Sequence, residues 1–322
     1  MQQQREELSR RQWITRSAAG LGAGALATTS VAAPADDKQS QPNSKPFRYC
    51  LNTGTILGHN LSLDEEVEVA AKAGYNGIEV WMRNVHRYVE AGKSIDDLKK
   101  RIADLGLALE SAIGFPRWAV DDEEQRTEGL ESMRRDMDLI AKLGGTHIAA
   151  PPAGINRTPG MDLRKVADRY RAVLEVGRET GVVPQLEIWG SAQTLGTVAD
   201  AVFVTTAADH PDACLLLDAF HIYKGGSGFH CLNQLNGAAM HAFHINDYPA
   251  DPPREEIGDG HRVYPGDGVC PLTDVLRTMH ATGFRGALSL ELFNREYLKQ
   301  DTLTVVKTGL AKIRAVVAKA FA

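Results

Sequence analysis

The sequence has little of what marks several common classes of protein. Its formal net charge of −5 lacks the Lys and Arg surplus of a nucleic-acid-binding surface, so we expect no nucleic-acid partner. Its four cysteines show no C-x-x-C spacing, and we expect no disulfide framework. The segment "LNTGTILGHN", at the end of the first apolar run, lacks the Gly-rich fingerprint of dinucleotide-binding sheets. These absences disfavour a nucleic-acid-binding protein, a disulfide-rich protein and a dinucleotide-binding sheet.

The amino-terminal segment resembles a bacterial twin-arginine export signal. Arg10 and Arg11 stand together, and a weakly apolar stretch rich in Ala, Gly and Leu follows from Ser17. We predict a signal peptide over residues 1–35, a polar linker over residues 36–46 and a periplasmic or otherwise exported location; an Ala-rich tail is the alternative. The apolar stretch is too short and too rich in small residues for a stable membrane span, so none is expected after cleavage.

Eight short apolar runs alternate with longer amphipathic segments from Phe47 onward. The short runs indicate buried strands, and several amphipathic segments end at a glycine, the usual stop of a helix. The runs are "FRYCLN", "NGIEVWM", "LALESAIGF", "THIAAPP", "VVPQLEIWG", "ACLLLDAF", "HAFHIND" and "GALSLELF". Eight strand–helix units in this length are typical of a (β/α)₈ barrel, so we predict an α/β fold with a single TIM barrel over residues 47–322. A doubly wound sheet is the alternative.

Several predicted strands end in polar groups. The apolar run in "LLLDAFHIYKGG" (residues 215–226) ends at Asp218, and His221 follows three residues later. In barrels of this kind the active site lies at the carboxyl ends of the strands. The groups at such positions are Glu79, Glu110, Glu187, Asp218, His244 and Glu291. Because a buried carboxylate without a partner is unfavourable, several of them at one barrel mouth indicate a cation between them.

Four of these groups follow the spacing of consecutive strand–helix units. Glu187, Asp218, His244 and Glu291 are separated by 31, 26 and 47 positions. Each alone is more simply explained as a salt-bridge or loop-anchoring group, but four on consecutive strands predict one metal site. Three oxygen donors and one imidazole suit a divalent ion with open coordination positions, so we expect Mn²⁺ first, with Mg²⁺, Co²⁺ or Zn²⁺ as alternatives.

Six short motifs occur in a fixed order along the chain. They are "AGYNGIEVW" (residues 73–81), "LEIW" with Glu187, "DAFH" with Asp218 and His221, "FHIND" with His244, "PGDG" (residues 265–268) and "LELF" with Glu291. In this order they resemble the xylose-isomerase-like barrels of the sugar isomerase and epimerase superfamily, and the resemblance covers nearly all of residues 47–320. It implies that the four groups above hold a divalent metal and that Glu187 and Glu291 also move protons on opposite faces of the substrate. It also implies that His221 and Arg262 hold substrate oxygens.

Three further side chains near the predicted strand ends are candidates for the site. Glu79 is predicted to bind a substrate hydroxyl, with a structural role in the barrel as the alternative. Asp247, three residues after His244, is predicted to orient metal ligands, with a loop-capping role as the alternative. Trp189 is predicted to stack on a sugar ring, and core packing would explain it nearly as well.

The predicted site is suited to several reactions that share the same first step, removal of a proton beside a carbonyl. A metal bound to adjacent carbonyl and hydroxyl oxygens acidifies the C–H bond between them, and a carboxylate on either face can remove or return the proton. The leading hypothesis is a metal-dependent isomerase or epimerase of a sugar or keto-sugar, and the export signal favours an unphosphorylated one. A metal-dependent lyase, a dehydratase or decarboxylase of an oxidised sugar or keto-sugar acid, is the alternative. An endonuclease IV-like nuclease and a non-catalytic sugar-binding protein are weaker alternatives, and homo-oligomerisation is left open.

Overall fold

The computed structural model describes residues 46–322, which form a ring of parallel strands enclosed by helices. The strands are β1 (Arg48–Asn52), β2 (Gly77–Trp81), β3 (Ala108–Ile113), β4 (His147–Ala150), β5 (Val183–Glu187), β6 (Leu215–Asp218), β7 (Met240–Ile245) and β8 (Ala287–Leu290). All eight coincide with the predicted runs. The predicted signal peptide and almost all of the predicted linker lie outside the described residues.

The strands form one eight-stranded sheet in the order β3-β2-β1-β8-β7-β6-β5-β4. Every hydrogen-bonded neighbour is parallel, and β3 and β4, at the two ends of this order, lie beside each other. The sheet is therefore a nearly closed barrel, and the prediction of a single (β/α)₈ TIM barrel is confirmed.

Helices connect the strands around the outside of the ring. They are α1 (Leu63–Ala73), α2 (Met82–Glu90), α3 (Ile95–Asp104), α4 (Glu123–Leu143), α5 (Leu163–Thr180), α6 (Val198–Ala207), α7 (Ala219–Lys224), α8 (Leu272–Ala281) and α9 (Thr302–Ala320). Short polar side chains begin several of them: Ser62 forms a capping box with Glu65, and Asp122 caps α4. Among the described residues no helix is both long and apolar enough to cross a membrane.

Neighbouring strands are in a register that places the polar strand ends at one level of the barrel. Asp218 pairs with His244, and His244 pairs with Ser289. On the next strands around the ring, Asn52 pairs with Glu79. Residues in register on adjacent strands belong to the same layer of a barrel interior, so these side chains meet inside it.

Candidate active site

Three polar side chains converge at the carboxyl ends of β6, β7 and β8. Ligand atoms of Asp218, His244 and Glu291 all lie within 4.8 Å of one another, and all three residues are buried. The Nδ1 atom of His244 lies 3.7 Å from Asp218 Oδ2 and 3.2 Å from Glu291 Oε2. Two carboxylates and one imidazole nitrogen aimed at one point form a donor set that fits a divalent cation.

Glu79 fixes the orientation of the His244 ring. Its Oε2 atom lies 3.0 Å from His244 Nε2 and also accepts hydrogen bonds from Ser289 Oγ and Asn52 Nδ2 at 2.7 and 2.9 Å. Because an ionised carboxylate only accepts, Nε2 of His244 carries the hydrogen, and Nδ1, which has no hydrogen-bond partner, faces the two other carboxylates. Proteins commonly hold metal-binding histidines in this way.

The substrate contact predicted for Glu79 is corrected by this geometry. The side chain is 0% exposed and does not line the cavity above the site. Although burial alone raises the pKa of Glu79, the His244 imidazole beside it brings that pKa below its usual value. Glu79 is therefore an ionised support for His244 beneath the site.

Arg262 is the positively charged side chain next to Asp218 and Glu291. Four of its five N–H bonds have carboxylate acceptors: Asp218 and Glu291 lie 2.8 and 2.9 Å from Nη1, and Asp259 lies 2.6 and 3.1 Å from Nη2 and Nε. The second N–H of Nη2 points at His221 Nε2, 3.1 Å away. The guanidinium is completely buried and lies against the rings of Phe220 and Phe293. Arg262 therefore positions Asp218 and Glu291. It also lines the cavity, and its contact with substrate oxygens stays a prediction.

The charge of Arg262 also determines the ionisation of Asp218. Burial alone raises the pKa of Asp218, but the adjacent guanidinium holds that pKa below its ordinary value. Carboxylates have a corresponding effect on His244: burial lowers its pKa, yet Glu291 and Glu79 together raise that pKa well above the ordinary value. The buried side chains at the base of the site, called the floor below, therefore carry opposite charges that lie next to one another.

Glu187, the fourth predicted ligand, is outside the converging group but in the same cavity. Its residue is 4% exposed and lines the cavity, and its Oε2 atom has no hydrogen-bond partner. Burial raises the pKa of Glu187 to about 8. A carboxylate with a free oxygen and a pKa near neutrality has the properties of a general base.

His221 lines the cavity, and its contact with substrate oxygens stays a prediction. The Gly190 N–H approaches its Nδ1 atom at 3.2 Å, and Arg262 Nη2 approaches its Nε2 atom at 3.1 Å. Burial lowers the pKa of His221, so the ring is neutral and has one lone pair for two donors. Only one of these contacts can be a hydrogen bond at a time, which leaves the other nitrogen with an N–H.

The cavity above the site has a volume of about 290 Å³ and an amphipathic lining. It is lined by Trp81, Ile113, Phe115, Glu187, Trp189, Ser191, His221, Asp259, Arg262, Glu291 and Phe293. Trp189 is among these lining residues, and its stacking on a sugar ring stays a prediction. A small, mostly pre-formed cavity with a few polar groups at one end is typical of an enzyme site for a small molecule.

Asp247 does not orient the metal ligands. Its carboxylate accepts the backbone N–H groups of Tyr248, Gly266 and Cys270 at 2.8, 3.0 and 2.9 Å, and a Cβ at Gly268 would lie 2.4 Å from its Oδ1 atom. The predicted orienting role is therefore wrong, and the loop-capping alternative describes the residue. This contact also explains the "PGDG" motif, because only glycine leaves room for the Asp247 carboxylate at position 268.

The orienting role belongs to the preceding residue, Asn246. Its Nδ2 atom donates to Asp218 Oδ2 at 2.9 Å, and its Oδ1 atom accepts the backbone N–H of Phe220 at 3.0 Å. Asn52 has a similar role at the other side of the site, where its Nδ2 atom also donates to Glu291 Oε1 at 3.0 Å. Sequence reasoning misses both, although each lies at the end of a predicted strand.

Glu110 does not reach the site. Its carboxylate forms a bidentate ion pair with Arg48, with distances of 2.6 and 2.7 Å. The β2–β3 register pairs Ile78 with Leu109 and Glu79 with Ser111, so Glu110 is an extra residue at an irregularity of β3. Glu110 is therefore not one of the strand-end groups that meet at the barrel mouth.

Comparisons with known proteins agree with this architecture. The family model described as xylose isomerase-like TIM barrel matches residues 67–316. The inosose isomerase of Bacillus velezensis is 28% identical over 282 residues, which are 85% of this chain and 99% of that enzyme. The 3-dehydroshikimate dehydratase of Pseudomonas aeruginosa is 27% identical over 260 residues, which are 78% of this chain and 39% of that enzyme.

A solved structure is similar over the whole barrel. The crystal structure of an IOLI protein with a bound zinc atom superposes with a TM-score of 0.77 and 25% identity, covering 86% of this chain and 100% of that chain. The fold, the potential metal ligands at the strand ends and the similar proteins are therefore consistent with one another.

Proposed function

Because the chain belongs to the xylose isomerase-like TIM barrel family, we propose that it is a metal-dependent isomerase or epimerase of an unphosphorylated sugar or keto-sugar. The observation that carries this proposal is the convergence of Asp218, His244 and Glu291 at the floor of a cavity into which the Glu187 carboxylate also opens. The inosose isomerase relative and the zinc-containing structural neighbour support it.

The residues of the floor fit a divalent metal. Asp218, His244 and Glu291 would hold it, and Glu79 keeps Nδ1 of His244 directed at the same point. Such a metal would withdraw electron density from two substrate oxygens and so acidify the C–H bond beside the carbonyl. We propose Mn²⁺ as its identity, since carboxylate oxygens predominate among the donors.

Glu187 is the residue that removes the proton in this proposal. Its unpartnered Oε2 atom can accept a proton once the group is ionised. Because the pKa of Glu187 is about 8, the carboxyl group is mostly protonated at neutral pH, and proton removal should become faster as the pH rises toward 8. Glu291 is the second member of the proposed pair, although its two oxygens already contact Asn52 and Arg262. Return of the proton to the same carbon from the other face gives an epimer, and return to the neighbouring carbon gives an isomer.

Hydrogen exchange tests the proposal directly. Metal-loaded protein is incubated with a panel of keto-sugars in deuterated water, and label at the carbon beside the carbonyl is followed by NMR. Glu187→Gln should lower the exchange rate by about 10²-fold or more at saturating metal, the usual contribution of a positioned base. The matched control is Glu110→Gln, which changes a carboxylate on β3 that does not line the cavity. Equal rates in both variants would remove Glu187 from the mechanism.

A lyase is the second candidate because a dehydratase is among the relatives. After removal of the proton, loss of a hydroxyl group from the next carbon would give a dehydrated product in place of an isomer. The two candidates separate in the same experiment, since a lyase forms a product with a new absorbance and one water fewer in mass. A product that retains every oxygen of the substrate and differs from it in mass only by the deuterium taken up supports the isomerase or epimerase.

We also propose that the protein is exported through the twin-arginine route. Arg10, Arg11 and the apolar stretch from Ser17 are the features that support this location. An unphosphorylated substrate suits a compartment outside the cytoplasm, so the location and the proposed substrate class are consistent with each other.

A further inference from the structure

The cavity wall opposite the metal-binding group is aromatic. Asp218 and His244 end β6 and β7, whereas Trp81 ends β2 and Phe115 follows β3, which lie across the eight-membered ring. Phe293, after β8, and Trp189, after β5, flank these two rings. The mouth is therefore divided between an arc of carboxylates and an arc of aromatic rings, here called the aromatic arc (Phe293, Trp81, Phe115 and Trp189).

The rings of the aromatic arc touch one another in a continuous series. The centroid of Trp81 lies 6.0 Å from that of Phe293 and 5.3 Å from that of Phe115, and Phe115 lies 5.9 Å from Trp189. The Nε1 atom of Trp81 donates to Asn52 Oδ1 at 2.9 Å, which holds that ring in place. Packed rings of this kind present a rigid apolar surface to a ligand.

The aromatic surface continues beyond the cavity. Phe115 is 45% exposed although it lines the cavity and contacts two tryptophans. The cavity itself, at about 290 Å³, is at the lower end of the size of ligand pockets and suits one sugar-sized ring. A ligand that also covers Phe115 therefore carries a substituent in addition to that ring.

The charges of the site disfavour an anionic ligand. Five carboxylates lie in the cavity or beneath it, those of Glu79, Glu187, Asp218, Asp259 and Glu291. Arg262 is the one Lys or Arg among the cavity-lining residues, and four of its five N–H bonds already have carboxylate acceptors in the protein. Even with Glu187 protonated, the other four carboxylates outweigh the combined charge of a divalent metal and Arg262, so a phosphate or carboxylate group on the ligand would be repelled.

We propose that the substrate is a neutral cyclic keto-glycoside whose apolar ring face and aglycone lie on the aromatic arc. A sugar ring carries hydroxyl groups at its edge and C–H bonds on its faces, which matches a cavity with carboxylates on one side and aromatic rings on the other. An open-chain ketose would place hydroxyl groups against the rings, and each hydroxyl left without a partner costs about 1–3 kcal/mol. This inference rests on the proposed function for the identity of the reacting group.

Calorimetric titration in the presence of Mn²⁺ tests the ligand class without requiring turnover. The probes are phenyl 3-keto-glucoside, methyl 3-keto-glucoside, D-fructose and D-fructose 6-phosphate. We expect the phenyl glycoside to bind at least about tenfold more tightly than the methyl glycoside, a difference of about 1.4 kcal/mol, and both to bind more tightly than either fructose. Phe115→Ala should remove most of the preference for the phenyl group, and Phe115→Trp should preserve it.

Phe203→Ala is the matched control, because Phe203 is 40% exposed on α6 and does not line this cavity. Equal binding of the phenyl and methyl glycosides, or tighter binding of either fructose, would overturn the inference. Deuterium exchange on the same ligands separates the two proposals. Preferential binding without exchange rejects the proposed function alone, whereas exchange that is fastest on fructose rejects the keto-glycoside alone.

Discussion

Replacing Glu66 with glutamine should stabilise the protein at alkaline pH and change its stability little at pH 5. Glu66 is 1% exposed on α1; its Oε1 atom accepts a hydrogen bond from Asn84 Nδ2 at 2.7 Å, and its Oε2 atom has no partner. Burial raises the pKa of Glu66 from an ordinary 4.5 to about 8. The carboxyl group is therefore protonated in the folded protein at neutral pH and ionised in the unfolded chain.

The size and sign of the effect follow from this difference in pKa. Between pH 4.5 and 8 the folded state holds a proton that the unfolded chain has lost, so Glu66 lowers the free energy of unfolding progressively as the pH rises through that window. Above pH 8, a pKa difference of about 3.5 lowers the free energy of unfolding by about 5 kcal/mol. This is an upper limit, because the folded protein can relax or admit water around the ionised group. At pH 5 the difference is less than about 1 kcal/mol.

Urea denaturation followed by circular dichroism measures the effect. The free energies of unfolding of wild type and Glu66→Gln are compared at intervals from pH 5 to pH 9. The control is Glu90→Gln, which changes an exposed glutamate on the neighbouring helix α2. A stabilisation by Glu66→Gln that does not grow with pH would refute the reasoning, as would equal behaviour of the two variants.

Four further predictions concern the site, its loop and the export signal. Purified without chelator, the protein should carry about one divalent metal per chain by elemental analysis; no metal, and no uptake of Mn²⁺, Co²⁺ or Mg²⁺, would contradict the site. Glu79→Gln should weaken metal binding by about 10- to 100-fold, measured by competition with a chelator, because it weakens the support of His244; unchanged affinity would exclude that role. Asp247→Ala should raise KM for the keto-sugar substrate and leave metal affinity within about threefold, because it releases the loop but no ligand; a large loss of metal would contradict this. Lysines in place of Arg10 and Arg11 should retain a tagged precursor in the cytoplasm, and unchanged fractionation would refute the export signal.

The strands and the metal-binding group could be predicted because both depend on local pattern. Each apolar run is long enough for one strand, and parallel strands in a barrel bring their carboxyl ends to one mouth. Asp218, His244 and Glu291 end three consecutive strands, so their meeting follows from the order of the chain. Glu187 follows the same logic, but the sequence does not indicate that its carboxylate stands apart from the other three.

The errors arise where the direction of a side chain depends on details that the pattern does not carry. An irregularity between β2 and β3 turns Glu110 toward Arg48, and a hydrophobic pattern does not reveal such a shift of register. Asn246 and Asp247 are adjacent, yet one orients Asp218 and the other closes a loop. The position of Arg262 depends on the path of a long loop, which is set by contacts between residues far apart in the sequence.

Hydrogen bonds hold the two ends of the loop between β7 and α8 (residues 246–271) together. Backbone hydrogen bonds join Asp247 to Val263 in both directions, and the Asp247 carboxylate binds N–H groups from the start and the end of the loop. The segment that delivers Asp259 and Arg262 to the site is thus anchored independently of the strands. The tip of this loop, residues 249–258, could therefore be replaced as a unit by a different sequence. Because Asp259 and Arg262 are the residues of this loop that line the cavity, changes within residues 249–258 would leave both the cavity lining and the metal-binding strands in place.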